Sequence, residues 1–129
     1  MNMHAKIQFD QPGMSSLLES MDEAVLNALG FGVIGFGRDG RVRRYNDFES
    51  KAAGLGTERV LEQDLFMVVA PCMNNFLVAQ RFADAHDGGE HLDDIISYVL
   101  TLRMRPTKVK LRLLSDPASE LSYVLVHRL

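Results

Sequence analysis

Phe31-Gly32-Val33-Ile34-Gly35-Phe36-Gly37-Arg38-Asp39-Gly40-Arg41-Val42-Arg43-Arg44-Tyr45-Asn46 reads as two strands and the turn that joins them. The first run is short, apolar and glycine-rich. Asp39-Gly40 is a dipeptide suited to the positive φ of a tight hairpin, and Val42 to Tyr45 resumes an extended pattern. The glycines at 30, 32, 35, 37 and 40 lack the strand-loop-helix order and spacing that cradle a phosphate, so they read as strand and turn glycines.

Ahead of the hairpin, Gln11-Pro12-Gly13 signals a turn, and Ser15 to Glu19 reads as a helix with serine near its N-cap. Met14, Leu17, Leu18 and Met21 form its apolar stripe. Met21 to Leu29 supports a second short helix carrying Val25, Leu26 and Leu29, and Gly30 stops it. Residues 1–29 are therefore expected to be a helical cap on a core spanning 30–129.

After the hairpin, Asn46 caps a helix whose third residue is Glu49. Glu49 has two readings. In one, its carboxylate folds back on the Asn46 amide as a capping box; in the other it turns inward beside Tyr45, four residues earlier, and it cannot easily do both. Thr57 to Glu62 is a short exposed helical turn, and Asn75 to His86 an amphipathic helix burying Val78, Phe82 and Ala85. His86 and His91 flank its glycine stop and read as solvent-exposed.

The remainder alternates as strands do. Ile96, Tyr98, Leu100, Leu102 and Met104 share one face, as do Thr107, Val109, Leu111 and Leu113; Lys108, Lys110 and Arg112 form a solvated face, and Ser122 to Leu129 closes the sheet. Two strands, a block of helices and three strands predict an α+β fold: a five-stranded antiparallel sheet with helices mainly on one face and an N-terminal helical cap.

The chain has 129 residues, is 47% apolar, and carries 14 Lys and Arg against 17 Asp and Glu, a net charge of −3. That is enough for one core and offers no basic field for nucleic acid. A single cysteine makes no internal disulfide, no Cys/His spacing resembles a zinc site, and no apolar run suits a signal peptide or membrane span. A cytoplasmic protein is expected.

That cysteine ends Leu65-Phe66-Met67-Val68-Val69-Ala70-Pro71-Cys72. Pro71 interrupts any helix, so Cys72 sits where the chain turns away from the core. It reads either as a small buried hydrophobe or as a thiol in a cavity wall.

Gly30-Phe31-Gly32-Val33-Ile34, Tyr45-Asn46 with Glu49, Val69-Ala70-Pro71-Cys72 and Met104-Arg105-Pro106-Thr107-Lys108-Val109-Lys110 resemble the photoactive yellow protein family in type, order and approximate spacing, from about Asp22 to Leu129. The resemblance implies a PAS-like fold and a blue-light photoreceptor, not an enzyme. It implies p-coumaric acid (4-hydroxycinnamic acid) held as a thioester on Cys72, and a phenolate hydrogen-bonded by Tyr45 and Glu49. Glu49 would be the proton donor in a cycle of trans/cis isomerisation, proton transfer and conformational change, and Met104 would line the pocket and affect recovery. It implies an unidentified downstream signalling partner, no nucleic acid, membrane or metal, and a monomer or weak homodimer.

The chain departs from the family pattern at Ala53 and Leu55, where a threonine and an arginine are usual. Asp47 and Phe48 replace two small residues, Leu100 replaces a pocket phenylalanine, and one residue is inserted between Cys72 and Met104. The alternative is a chromophore-free PAS-type module for ligand binding or dimerisation. A cysteine-nucleophile enzyme would need a base near the thiol, and no histidine context supplies one.

Overall fold

The computed structural model describes residues 6–101 and 105–129. Its sheet has five antiparallel strands in the order β2-β1-β5-β4-β3, where β1 is Gly32–Phe36, β2 Val42–Tyr45, β3 Leu92–Leu100, β4 Thr107–Ser115 and β5 Ser122–Arg128. The hairpin forms as the Asp39-Gly40 turn predicts, with Gly40 at φ 84°. Its register places Ile34 opposite Tyr45, so both side chains face the same side of the sheet.

Strand alternation divides the core between the two faces. Ile34, Phe36, Val109, Leu111, Leu113, Val124 and Val126 pack beneath the central helices. Val33, Leu114, Tyr123 and Leu125 pack on the opposite face beneath α1 (Met14–Ser20) and α2 (Glu23–Asn27), whose Met14, Leu18 and Leu26 are buried with Met21 between the two helices. Leu17 is half-buried and Val25 faces solvent, so the cap buries less of its stripe than the spacing predicts. Gly13, at φ 70°, is the N-cap of α1, and no serine takes that role.

Asn46 fastens the cap to the hairpin. It is wholly buried, and its Oδ1 accepts from the amides of Val33 (2.9 Å) and Glu49 (3.1 Å), while its Nδ2 donates to the carbonyls of Leu26 and Phe31, each at 3.0 Å. One amide thus caps α3 (Asp47–Ala53), pairs with β1 and ends the cap segment.

On the helical face α4 (Thr57–Val60) leads to a π-helical turn at Leu65–Val69 and a 3-10 turn at Pro71–Met73. Asp64 starts the π turn by accepting from the amides of Phe66 and Met67, and the Ala70 amide closes it on Leu65 O at 2.7 Å. The wide turn leaves Met67 and Val68 exposed while Leu65 is buried. Such turns recur at functional sites. Phe36 stacks edge-on against both Phe66 and Phe82 and binds the turn to α5 (Ala79–Gly88).

Several sequence expectations need correction. The helix predicted from Asn75 begins at Ala79, because Asn75 Oδ1 takes the amides of Leu77 and Val78 and holds that stretch as a turn. Arg112 is not part of a solvated face: it is 4% exposed, grips Asp93 with Nε and Nη2 (2.8 and 2.9 Å), and donates from Nη1 to the carbonyls of Phe9 and Gln11. The N-terminal segment covers this end of the outer face, while Lys108 and Lys110 stay exposed. His86 is half-buried and bonded to Ser122 Oγ at 3.1 Å, while His91 is exposed as expected. Leu102 to Met104 lie outside the described residues.

Candidate functional site

Tyr45 and Glu49 stand four residues apart, one at the end of β2 and the other in the first turn of α3, and both point inward. They line one cavity with Ile34, Ala53, Leu55, Val69, Ala70, Met73, Leu100 and Val126. Ala53, Leu55 and Leu100, three of the positions that depart from the family pattern, are therefore wall residues. The cavity measures about 10 Å³, the size of one water.

Glu49 does not complete a capping box. The Asn46 amide is taken by Val33 O at 3.2 Å, and Asn46 caps the helix through its own side chain. Glu49, a residue 2% exposed, lays its carboxylate against β1 at Gly32, where a Cβ would meet Oε1 at 2.0 Å. There it meets Arg128, the last residue of β5: Nη1 donates to Oε1 at 2.7 Å and Nη2 to Oε2 at 3.1 Å. Val126, opposite Gly32, shares the face of Arg128 by alternation, which brings the guanidinium over the same glycine.

The electrostatics follow from burial. Desolvation pushes the Glu49 carboxyl above its ordinary value, while the hydrogen bond and charge of Arg128 hold it back. Arg128 is itself raised, first by that hydrogen bond. Burial raises the Tyr45 hydroxyl, the Glu49 charge adds to the rise, and Arg128 opposes it. Tyr45 is thus a neutral donor throughout ordinary pH.

Cys72 is a free, half-buried thiol packed against the same core, between cavity-lining Ala70 and Met73 but not itself in the lining. Its carbonyl is clamped: the Tyr98 hydroxyl donates to it at 2.5 Å, and Asn75 Nδ2 reaches both that carbonyl (3.2 Å) and the Tyr98 oxygen (2.7 Å). Met104, named for the pocket by resemblance, lies outside the described residues.

Sequence reading missed Arg128, Gly32 and the Tyr98-Asn75 clamp. A signal for Arg128 existed: Val124, Val126 and Arg128 alternate in one register, so a cation continues an otherwise apolar inward face. Among the described residues no cluster of metal-ligating side chains gathers, and no helix is long and apolar enough to cross a membrane.

No family model matches the sequence. Photoactive yellow protein of Halochromatium salexigens is 29% identical over 123 residues, 95% of this chain and 98% of that protein. The solved photoactive yellow protein domain of the sensor histidine kinase Ppr from Rhodospirillum centenum is 30% identical, covers 87% of this chain and 97% of its own, and superposes with a TM-score of 0.79. The PAS domain of nitrogen regulation protein NR(II) from Vibrio parahaemolyticus, 14% identical with a TM-score of 0.60, covers 85% of this chain and 99% of its own, and shares the fold alone. The five-stranded antiparallel sheet agrees with these likenesses, and the chain belongs to the photoactive yellow protein family, PAS-type photoreceptors.

Proposed function

We propose that this chain is a blue-light sensor that carries p-coumaric acid as a thioester on Cys72. The observation that carries this reading is the buried Tyr45 hydroxyl and Glu49 carboxyl group on one apolar cavity whose wall includes both neighbours of the Pro71-Cys72 dipeptide. The donor set suits a phenolate: Tyr45 is held neutral, and a carboxyl already raised by burial is raised further by a second anion beside it, so that it too donates. Bound there, the group supplies light absorption and isomerisation about its vinyl bond.

With the group bound, Glu49 would pass its proton to the phenolate oxygen and become a buried carboxylate that has to be paired again by Arg128, a rearrangement large enough to loosen a marginal segment. The wall can yield on the side of the helical turns. The helical turns from Leu65 to Met73 and the turn that follows them expose Met67, Val68, Phe76 and Leu77, so this stretch can move outward to admit a ligand larger than one water. The output is a conformational change read by a separate signalling protein, with the chain in the cytoplasm as a monomer or weak homodimer and residues 1–29 as its cap.

The water-sized cavity and the Arg128–Glu49 pair favour one second reading, a chromophore-free PAS module for ligand binding or dimerisation. Intact-mass measurement after incubation with activated p-coumaric acid separates the two. One adduct on the wild type and none on Cys72→Ala supports the sensor; no adduct on the wild type supports the module.

A further inference from the structure

Arg128 is the residue whose placement calls for a function of its own. A buried carboxylate normally draws its hydrogen bonds from the backbone or a nearby polar side chain. Glu49 instead takes a two-pronged grip from the end of β5, 79 positions away in sequence. Among the described residues the polar groups facing that carboxylate are Tyr45 from β2 and Arg128 from β5, while Asn46 spends its amide on the cap and on β1. The Arg128 side chain is 20% exposed and that of Glu49 3%, so the arginine reaches the surface while the glutamate does not. This geometry lets the arginine swing toward solvent and return, whereas Glu49 is fixed over Gly32.

We propose that Arg128 is the dedicated counter-ion of the Glu49 carboxylate, and that on the reading above it takes up the charge Glu49 acquires in the light reaction. In that step the O–H bond of Glu49 breaks, an O–H bond forms on the phenolate oxygen, and the negative charge moves to Glu49, where two N–H groups of Arg128 receive it. With the chromophore in place before light, the carboxyl would donate to the phenolate and the guanidinium would have to release it. The ion pair is therefore the product-side arrangement of the site, and Arg128 sets how long that arrangement lasts. It is a positioning residue: it acts through Glu49 and need not touch the chromophore.

The test has one arm before loading and one after. Before loading, the Glu49 carboxyl band, assigned by its loss in Glu49→Gln, is titrated by infrared spectroscopy. Arg128→Gln should move that titration to higher pH by about one unit or more, a tenfold or greater change in proton affinity, and Arg128→Lys, which keeps charge but not the fork, should move it less. An unchanged titration in Arg128→Gln overturns the counter-ion. After loading, the blue-shifted light product should decay at least about tenfold faster in Arg128→Gln, with partial recovery in Arg128→Lys; equal lifetimes overturn the role in the light reaction. A wild type that takes no adduct defeats the proposed chromophore instead, and the titration still decides the pairing. If Arg128→Gln does not fold, Arg128→Lys carries both arms, and wild-type behaviour in each overturns the proposal.

Discussion

A Cβ at position 32 would lie 2.0 Å from Oε1 of Glu49, so it is the missing side chain of Gly32 that lets the carboxylate rest against β1 and reach Arg128. The close approach extends back along the side chain, with Cδ at 3.0 Å and Cβ at 3.2 Å, so a tip rotation alone does not relieve it. Gly32→Ala should fold but lose about 1–3 kcal/mol as Glu49 is driven out and Arg128 is left unmatched. Chemical denaturation checks the stability, and loss of the buried carboxyl signal checks the displacement.

Asn46 should be among the costliest polar residues to remove. Asn46→Ala strands the Val33 and Glu49 amides and the carbonyls of Leu26 and Phe31. With about 1–3 kcal/mol for each buried group left unsatisfied, the loss should exceed about 3 kcal/mol. Asn46→Asp keeps the acceptor and forfeits the donor, so it should fall between the two in a denaturant series.

The hairpin, the five strands and the cap were legible because each rests on local chemistry: an Asp-Gly turn, period-two alternation, and apolar stripes between Gly13 and Gly30. The inward turn of Glu49 was legible only as one of two readings. What decides between them is a distant residue, Arg128, together with a β1 carbonyl that occupies the Asn46 amide. Arg112 misled for a related reason. It alternates like a surface cation, and only the N-terminal segment crossing above it turns it into a buried clamp. The π turn at Leu65–Val69 has no one-dimensional signature, since its apolar run fits a strand or a helix equally well.

Glu49 should make stability fall with rising pH. Its folded value stands above the ordinary 4.5, so it binds its proton more tightly folded than unfolded. Its contribution is then complete below 4.5 and is lost as pH rises through the raised value. Wild type should therefore lose stability relative to Glu49→Gln between about pH 4 and about pH 7, and denaturant midpoints of the two proteins at both pH values measure it. A gain over that interval would mean that Arg128 outweighs burial.

Tyr98 should govern the stiffness of the cysteine turn and not the chemistry of the thiol. Tyr98→Phe removes the donor to Cys72 O and the acceptor for Asn75. About 1 kcal/mol of local stability should go with them, seen as roughly fivefold faster amide exchange over residues 72–75. Adduct formation on Cys72 should persist.

If Cys72 carries an ionised p-coumaroyl group held by Tyr45 and Glu49, the visible absorption spectrum after incubation with activated p-coumaric acid at neutral pH reports it. The wild type should show a single band well to the red of neutral p-coumaric acid, absent from Cys72→Ala. Because apolar Ala53 and Leu55 line the site, that band should give way to a blue-shifted one as pH falls. A wild-type protein with no such band, or a Cys72→Ala protein that shows the same one, would contradict it.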